Sequence, residues 1–346
     1  MAPFVTSMRA WQYHNTTGGV ENNLFLNEHT PLPATTSEQH LVQVIALALN
    51  PIDYKPAETP LVGRFMIPKP ATPGIDFTGR IIKPAENSEL KVGQLVFGAS
   101  GTMPPFAGGA LREFAIAGEG NIVPLPEGLS PFDGACIPVA GLTALQSIVP
   151  RVKKGDRLFI NGGSGGVGGF GIQIAKEVGC HVTTTCSTAN VELCKSLGAD
   201  VVIDYKKFNV LQVLMSGEKF DHVVDNVGQD KELYWRAHEY LKEGKVFILV
   251  AQDITLDVIQ DQLKRRYLPV WMGGLQRVVE GFFPMPKADD LNQLGQWMKD
   301  GVIKPTVDNV FKFEDAPKAF ERLRTKRAQG KIIIDIASET YQELKL

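Results

Sequence analysis

The segment Asn161-Gly162-Gly163-Ser164-Gly165-Gly166-Val167-Gly168 sets three glycines at the spacing Gly163-x-Gly165-x-x-Gly168. It follows a short apolar run, Arg157–Asn161, and opens a small-residue stretch with helical spacing over 166–179. In such a turn one glycine permits the tight bend, one lets the backbone approach a pyrophosphate, and one lets the helix pack on the sheet. The unpaired N–H groups and dipole of the helix start then favour a phosphate. Glycine is common, so the spacing alone says little. The preceding strand, the following helix and the βαβ series beyond them supply the context that the motif requires. Gly163, Ser164, Gly165, Gly166, Val167 and Gly168 are therefore expected to hold a dinucleotide, against the competing reading of a structural glycine turn.

The end of the next strand decides which dinucleotide. An NAD site usually places an acid there to accept from the adenine ribose 2′-hydroxyl. Here the chain reads Cys186-Ser187-Thr188-Ala189-Asn190, with no acid before Glu192. An acid would repel a 2′-phosphate, whereas hydroxyls and amides can donate to it. NADPH is the expected cofactor, with Ser187, Thr188 and Asn190 as neutral donors. The alternative, that these residues cap a helix starting near residue 189, stays open at this point.

The elements that must position these groups follow from the rest of the chain. Over the first 130 or so residues, near-continuous apolar runs such as 41–49, ended by Asn50-Pro51, alternate with Gly and Pro clusters, a mostly β pattern. From about Pro131, strands at Arg157–Asn161, His181–Cys186, 201–203, 220–225 and 245–250 alternate with helical stretches at 166–179, 189–197 and 231–241. That alternation implies βαβ units and a parallel, doubly wound sheet. After Pro284, Leu291, Leu294, Met298 and Val302 share one helix face, a second helix carries Phe320 and Leu323, and 331–336 closes as an apolar strand. The fold class is α/β. The 346 residues, 44% hydrophobic and 21% charged with a net charge of −2, fit a folded chain without a field for nucleic acid or anionic membrane. No apolar run reaches the roughly 18–20 residues of a membrane span, and Met1-Ala2-Pro3-Phe4 does not begin a signal peptide. Four cysteines are too few for a disulfide scaffold and point to a reducing compartment, the cytosol.

Several segments together resemble the medium-chain dehydrogenase/reductase superfamily, in particular its zinc-independent quinone oxidoreductases and enoyl reductases. They are Ala48-Leu49-Asn50-Pro51-Ile52-Asp53, Pro73-Gly74-Ile75-Asp76-Phe77-Thr78-Gly79, Val92-Gly93-Gln94-Leu95-Val96-Phe97-Gly98, Ala140-Gly141-Leu142-Thr143-Ala144, the glycine turn, Leu197-Gly198-Ala199-Asp200, Val224-Asp225-Asn226-Val227-Gly228 and Gln329-Gly330-Lys331-Ile332. They occur in family order along nearly the whole chain. The tract 189–205 is also similar to stand-alone trans-acting enoyl reductases of fungal polyketide pathways. The resemblance implies a GroES-like, β-rich catalytic domain from residues 1–131 and 285–346, and a Rossmann dinucleotide-binding domain over 132–284. It implies further cofactor contacts from Tyr205 near the 2′-phosphate, Asn226 near the nicotinamide ribose, and Val250 and Ala251 on the same face. A lysine that some quinone oxidoreductases use beside the 2′-phosphate corresponds to Asn190 here.

Zinc-dependent relatives place a cysteine near Asn50–Asp53 and Gly-His-Glu at 73–79; this chain has neither Cys nor His there, so no metal is expected. Reducing an unactivated carbonyl without zinc leaves an alkoxide poorly served. Hydride addition to a conjugated C=C instead spreads charge onto a carbonyl oxygen, which one or two donors can stabilise. Asn50, Tyr54 and Lys55 form the candidate donor loop, and Thr143 matches a family threonine beside the nicotinamide. The competing readings are a packing aromatic for Tyr54, a solvated lysine for Lys55 and an ordinary helix residue for Thr143. Asp53 and Asp76 read as structural. Lys331 either reaches the cofactor from the last strand or is solvated. The expected activity is NADPH-dependent reduction of an enone or enoyl thioester, small or carrier-tethered. Quinone reduction on the same scaffold and a non-catalytic, crystallin-like NADPH binder are the alternatives. A homodimer or a synthase partner is left open.

Overall fold

The structure is a computed structural model that describes residues 6–59, 62–100, 108–250 and 256–337. The chain divides into two compact units, residues 1–142 with 286–346 and residues 143–285. The division falls inside the helix Pro138–Ile148.

The first unit is built on a seven-stranded sheet. Its path runs Val307–Lys312, Lys331–Asp335, Gln39–Leu49, Asp76–Lys83, Leu95–Ala99 and Ile122–Pro124, with Phe114–Gly118 also paired to Gln39–Leu49. Gln39–Leu49 is the hub, antiparallel to Lys331–Asp335, Asp76–Lys83 and Phe114–Gly118. A strand with neighbours on both edges and side chains covered on both faces needs apolar residues at every position, which explains the unbroken run from Val44 to Leu49. Tyr13, Leu47, Phe77, Phe313, Phe320 and Ile334 pack in the core of this unit. The C-terminal strand thus pairs directly with the strand that leads into Asn50, Ile332 standing opposite Leu49.

In the second unit six parallel strands run in the order Val201–Asp204, His181–Cys186, Arg157–Asn161, His222–Asp225, Val246–Leu249, Val278–Gly281. This is the doubly wound arrangement expected from the βαβ pattern. Its strand order reverses between Arg157–Asn161 and His222–Asp225, the switch point beside which open α/β sheets bind ligands. The helix Gly166–Val178 ends at Gly179, whose φ of 91° is the left-handed conformation that a C-terminal glycine adopts cheaply.

Several expectations need correction. The single helix expected over 231–241 is two, Lys231–Trp235 and Ala237–Tyr240, parted at Arg236. The sequence pattern does not predict the helix Leu256–Tyr267 or the edge strand Val278–Gly281, since both carry mixed polar and apolar residues that are partly exposed. After the helix Leu256–Tyr267, Trp271 and Met272 are exposed, Trp271 at 84%.

Candidate active site

In the second unit the glycine turn closes against the sheet. A Cβ on Gly163 would lie 2.2 Å from Thr184 Oγ1, and one on Gly168 would lie 2.1 Å from the Gly162 carbonyl. Both positions exclude any larger residue, and so bring the helix start hard against the strand. At Gly165 the nearest atom to such a Cβ is 3.6 Å away, so backbone there is open to a ligand. Gly165 is the N-cap of the helix Gly166–Val178, and no side chain caps it. The first N–H groups of that thirteen-residue helix therefore point outward without an intrahelical acceptor.

A buried polar net fixes the turn. Asn161 Nδ2 donates to Asp225 Oδ1 at 2.7 Å, Thr185 Oγ1 donates to Asn161 Oδ1 at 2.5 Å, and Gly162 N donates to Thr185 Oγ1 at 2.9 Å. Asp225 Oδ1 also accepts from the N–H groups of Val227 and Gly228. Burial pushes the Asp225 carboxyl up, against the pull of these donors. The next residue, Asn226, has both amide atoms buried and without any hydrogen-bond partner. Burying an amide unpaired costs about 1–3 kcal/mol by mutational measures, so this orphaned amide marks a place for a polar ligand. Val250 extends the neighbouring strand, its N–H donating to the Asp225 carbonyl. Ala251 lies outside the described residues.

The strand-end cluster departs from the sequence reading. Thr188 Oγ1 donates to Asp204 Oδ2 at 2.7 Å, so its hydroxyl hydrogen is committed within the chain and Thr188 is not a free donor. Asp204 ends the adjacent strand as the register partner of Cys186, which brings an acid into a corner that the linear sequence leaves neutral. That charge is offset: Lys206 N–H and Lys207 Nζ lie 3.0 and 3.8 Å from Asp204. Tyr205 is 51% exposed, with Lys206 Nζ 5.4 Å from its ring centre. Asn190 Nδ2 donates to Ser164 Oγ at 3.0 Å, tying this cluster to the glycine turn. Neither Ser187 nor Asn190 caps a helix with its side chain, which removes the helix-cap alternative.

In the first unit, Asn50 ends the hub strand and Pro51 starts a tight turn, Pro51–Asp53, that leads into the short helix Lys55–Glu58. Asn50 is buried, and its amide is spent inside the unit. Nδ2 donates to Asp76 Oδ2 at 2.8 Å and to the Ala48 carbonyl at 3.3 Å, and Oδ1 accepts from Lys331 Nζ at 2.6 Å. The expectation that Asn50 donates to a substrate is corrected accordingly. The solvated reading of Lys331 is corrected: its side chain is 3% exposed, and its ammonium lies 3.0 Å from Asp76 Oδ2. Asp53 Oδ2 accepts the Asn50 N–H at 2.6 Å, and burial pushes the Asp53 carboxyl up to about 7. Asp53 also lines a small cavity with Tyr13, Ile52, Thr72 and Gly109. Tyr54 is 6% exposed, with the Arg324 guanidinium 4.6 Å from its ring centre and in turn paired to Glu58 and Glu21. Lys55 is half-buried at the head of its helix, and Thr143 is buried on the helix Pro138–Ile148.

Among the described residues no three His, Cys, Asp or Glu side chains gather into a metal-holding group, and all four cysteines are free and buried. No described helix is long and apolar enough to cross a membrane.

Comparison with known proteins places this geometry. Residues 36–127 match the alcohol dehydrogenase GroES-like domain and residues 197–334 the zinc-binding dehydrogenase family. The chain is 45% identical to the trans-enoyl reductase pgmF of Aspergillus terreus over 98% of both chains. It is 31% identical to 2-methylene-furan-3-one reductase of Solanum lycopersicum, over 95% of this chain and 79% of that one. Among solved structures, the quinone oxidoreductase from Coxiella burnetii superposes with a TM-score of 0.81 at 29% identity, covering 95% of this chain and 99% of the other. A GroES-like unit joined to a parallel dinucleotide-binding sheet, with these relatives across its length, makes the chain a member of the medium-chain dehydrogenase/reductase superfamily of nicotinamide-dependent oxidoreductases.

Proposed function

We propose that this chain is an NADPH-dependent, zinc-free reductase of C=C bonds conjugated to a carbonyl, as in an enone or an enoyl thioester. The observation that carries the cofactor half is the open N-terminus at Gly165–Val167 set beside the orphaned amide of Asn226. A pyrophosphate satisfies the first and a ribose or carboxamide the second. When bound, the reduced nicotinamide supplies the hydride. NADPH over NADH is supported by Ser187, Tyr205 and the ammonium groups of Lys206 and Lys207, with the Asp204 charge held by Thr188 and Lys207.

The choice of C=C chemistry is supported by the names of two relatives, trans-enoyl reductase and 2-methylene-furan-3-one reductase. It is also supported by what the Asn50–Lys55 loop offers. With Asn50 internally committed and Tyr54 covered by Arg324, Lys55 is the one cation of that loop, suited to donate to a carbonyl oxygen as charge develops. A quinone is the second reading, favoured by the likeness to a quinone oxidoreductase. The deciding experiment offers NADPH with enones, enoyl thioesters and quinones in turn and follows loss of its absorbance. Oxidation by the conjugated C=C substrates supports the proposal. Oxidation by quinones alone, or tight binding without turnover, overturns it.

A further inference from the structure

Lys331 is an ammonium held where lysine is rarely found. It begins the strand Lys331–Asp335, is followed by three isoleucines, and is 3% exposed. Its Nζ meets two groups at once, Asn50 Oδ1 at 2.6 Å and Asp76 Oδ2 at 3.0 Å. Asn50 Nδ2 and Asp76 Oδ2, 2.8 Å apart, close the triangle. Every edge is a donor meeting an acceptor, so the Asn50 amide has one satisfied orientation: a flipped amide would set its NH2 against the ammonium and its oxygen against the carboxylate. The net spreads further. Asp76 Oδ1 accepts the Val139 N–H at the start of the helix Pro138–Ile148, and Asp53 Oδ2 accepts the Asn50 N–H.

A buried ion pair is weak grounds for stability, because two well-packed apolar side chains serve as well or better. What this pair adds is direction, delivered at the residue where the hub strand turns into the Asn50–Lys55 loop. We infer that Lys331 and Asp76 are positioning residues, a buried pair that sets the course of the Asn50–Lys55 loop by locking the Asn50 amide. The inference rests on the reductase reading for its kinetic consequence, though not for its structural one. The charged or titratable groups facing the pair are Asp53 and Cys136, from the turn and from the helix Pro131–Cys136.

The test compares the full-length protein with Lys331→Met, Asp76→Asn/Lys331→Met and Asn50→Ser. Four quantities are read: NADPH affinity by fluorescence titration, kcat with an enone, the pH profile of kcat, and hydrogen exchange at the Asn50 and Asp53 amides. In Lys331→Met, NADPH affinity stays within twofold, kcat falls at least tenfold, and the two amides exchange at least tenfold faster. With its cation gone and the carboxyl buried, Asp76 holds a proton at low pH and is forced into an unpaired charge as pH rises. The kcat deficit therefore deepens as pH rises and is largely relieved in the double variant. Asn50→Ser reproduces the fast exchange, and decides the matter if Lys331→Met does not fold. A tenfold loss of NADPH affinity in Lys331→Met would place the lysine on the cofactor and overturn the inference, as would unchanged exchange in both single variants. A wild type that turns over no substrate fails the reductase reading alone, because the exchange comparison still stands.

Discussion

Asn161 and Asp225 face each other in register on the two central strands of the parallel sheet, the Asn161 amide donating to Asp225 Oδ1 at 2.7 Å. The bond spans the point where the strand order reverses. On one side Asn161 and Thr185 hold the Gly162 N–H; on the other Asp225 holds the turn at Val227 and Gly228. One buried carboxylate oxygen thus ties the glycine turn to the strand end bearing Asn226.

Replacing that carboxylate tests the tie. Asp225→Ala strands three donors, each costing about 1–3 kcal/mol when buried unpaired. The expected outcome is a lowered thermal midpoint together with at least a tenfold loss of NADPH affinity, because the turn loses its anchor. Asp225→Asn keeps an acceptor oxygen for part of the net and should lose less of both. A lower midpoint with undiminished cofactor affinity would reduce Asp225 to general packing.

Asp53 carries a pH dependence of known sign. Burial raises its carboxyl to about 7, from about 3.9 in an unfolded chain. The folded state therefore binds the proton more tightly, so this group's contribution to stability is full below pH 4 and is lost as pH rises towards 7. Asp53→Asn cannot titrate. Its stability relative to wild type should rise between pH 4 and 8, by at most about 4 kcal/mol from the span of the two pKa values. Paired thermal melts at several pH values measure it, and a gap that does not move with pH would refute the assignment.

Much of this was legible in the chain because the signals are local. The strand Arg157–Asn161, the glycine turn and the helix Gly166–Val178 are adjacent in sequence, and each constrains the next. The near-continuous apolar run before Asn50 likewise announces a strand covered on both faces. What escaped depends on partners far away along the chain. Lys331 reads as cofactor-facing or solvated until Asp76, 255 residues earlier, is set beside it. The neutral strand end at Ser187–Asn190 becomes charged only when sheet order brings Asp204 opposite Cys186, with Lys206 and Lys207 following. Thr188 illustrates the same limit: its residue type was right for phosphate, but its hydrogen had a nearer acceptor.

Two glycines separate packing from binding. A Cβ at position 168 meets the Gly162 carbonyl at 2.1 Å and Gly163 Cα at 2.7 Å, so Gly168→Ala must push the helix start off the strand. Both the thermal midpoint and NADPH affinity should fall. At position 165 the nearest neighbour is 3.6 Å away, so Gly165→Ala should fold with an unchanged midpoint and lose affinity only, by occupying the space left for phosphate. Equal effects of the two substitutions on both readouts would contradict this division.

Cofactor choice gives the most exposed test, because the corner proposed for the 2′-phosphate is of mixed sign. Ser187 is half-buried and makes no capping bond, so its hydroxyl is available to a ligand. Ser187→Asp would exchange that donor for a carboxylate beside Asp204, and two acids would then face one phosphate. Losing a hydrogen bond to a charged group costs about 1.5–3 kcal/mol, roughly a ten- to hundredfold fall in NADPH affinity. The new carboxylate can accept from the free hydroxyls of NADH, whose affinity should hold or rise. Lys206→Ala/Lys207→Ala tests the opposite sign: it removes two cations while leaving the hydroxyl, and should weaken NADPH more than NADH, most clearly at low salt. Fluorescence titration of both cofactors against wild type and both variants reads the outcome. A wild type that binds NADH as tightly as NADPH would show that Ser187, Tyr205 and the two lysines do not select the phosphate, and Asp204 would then be the residue that meets the ribose.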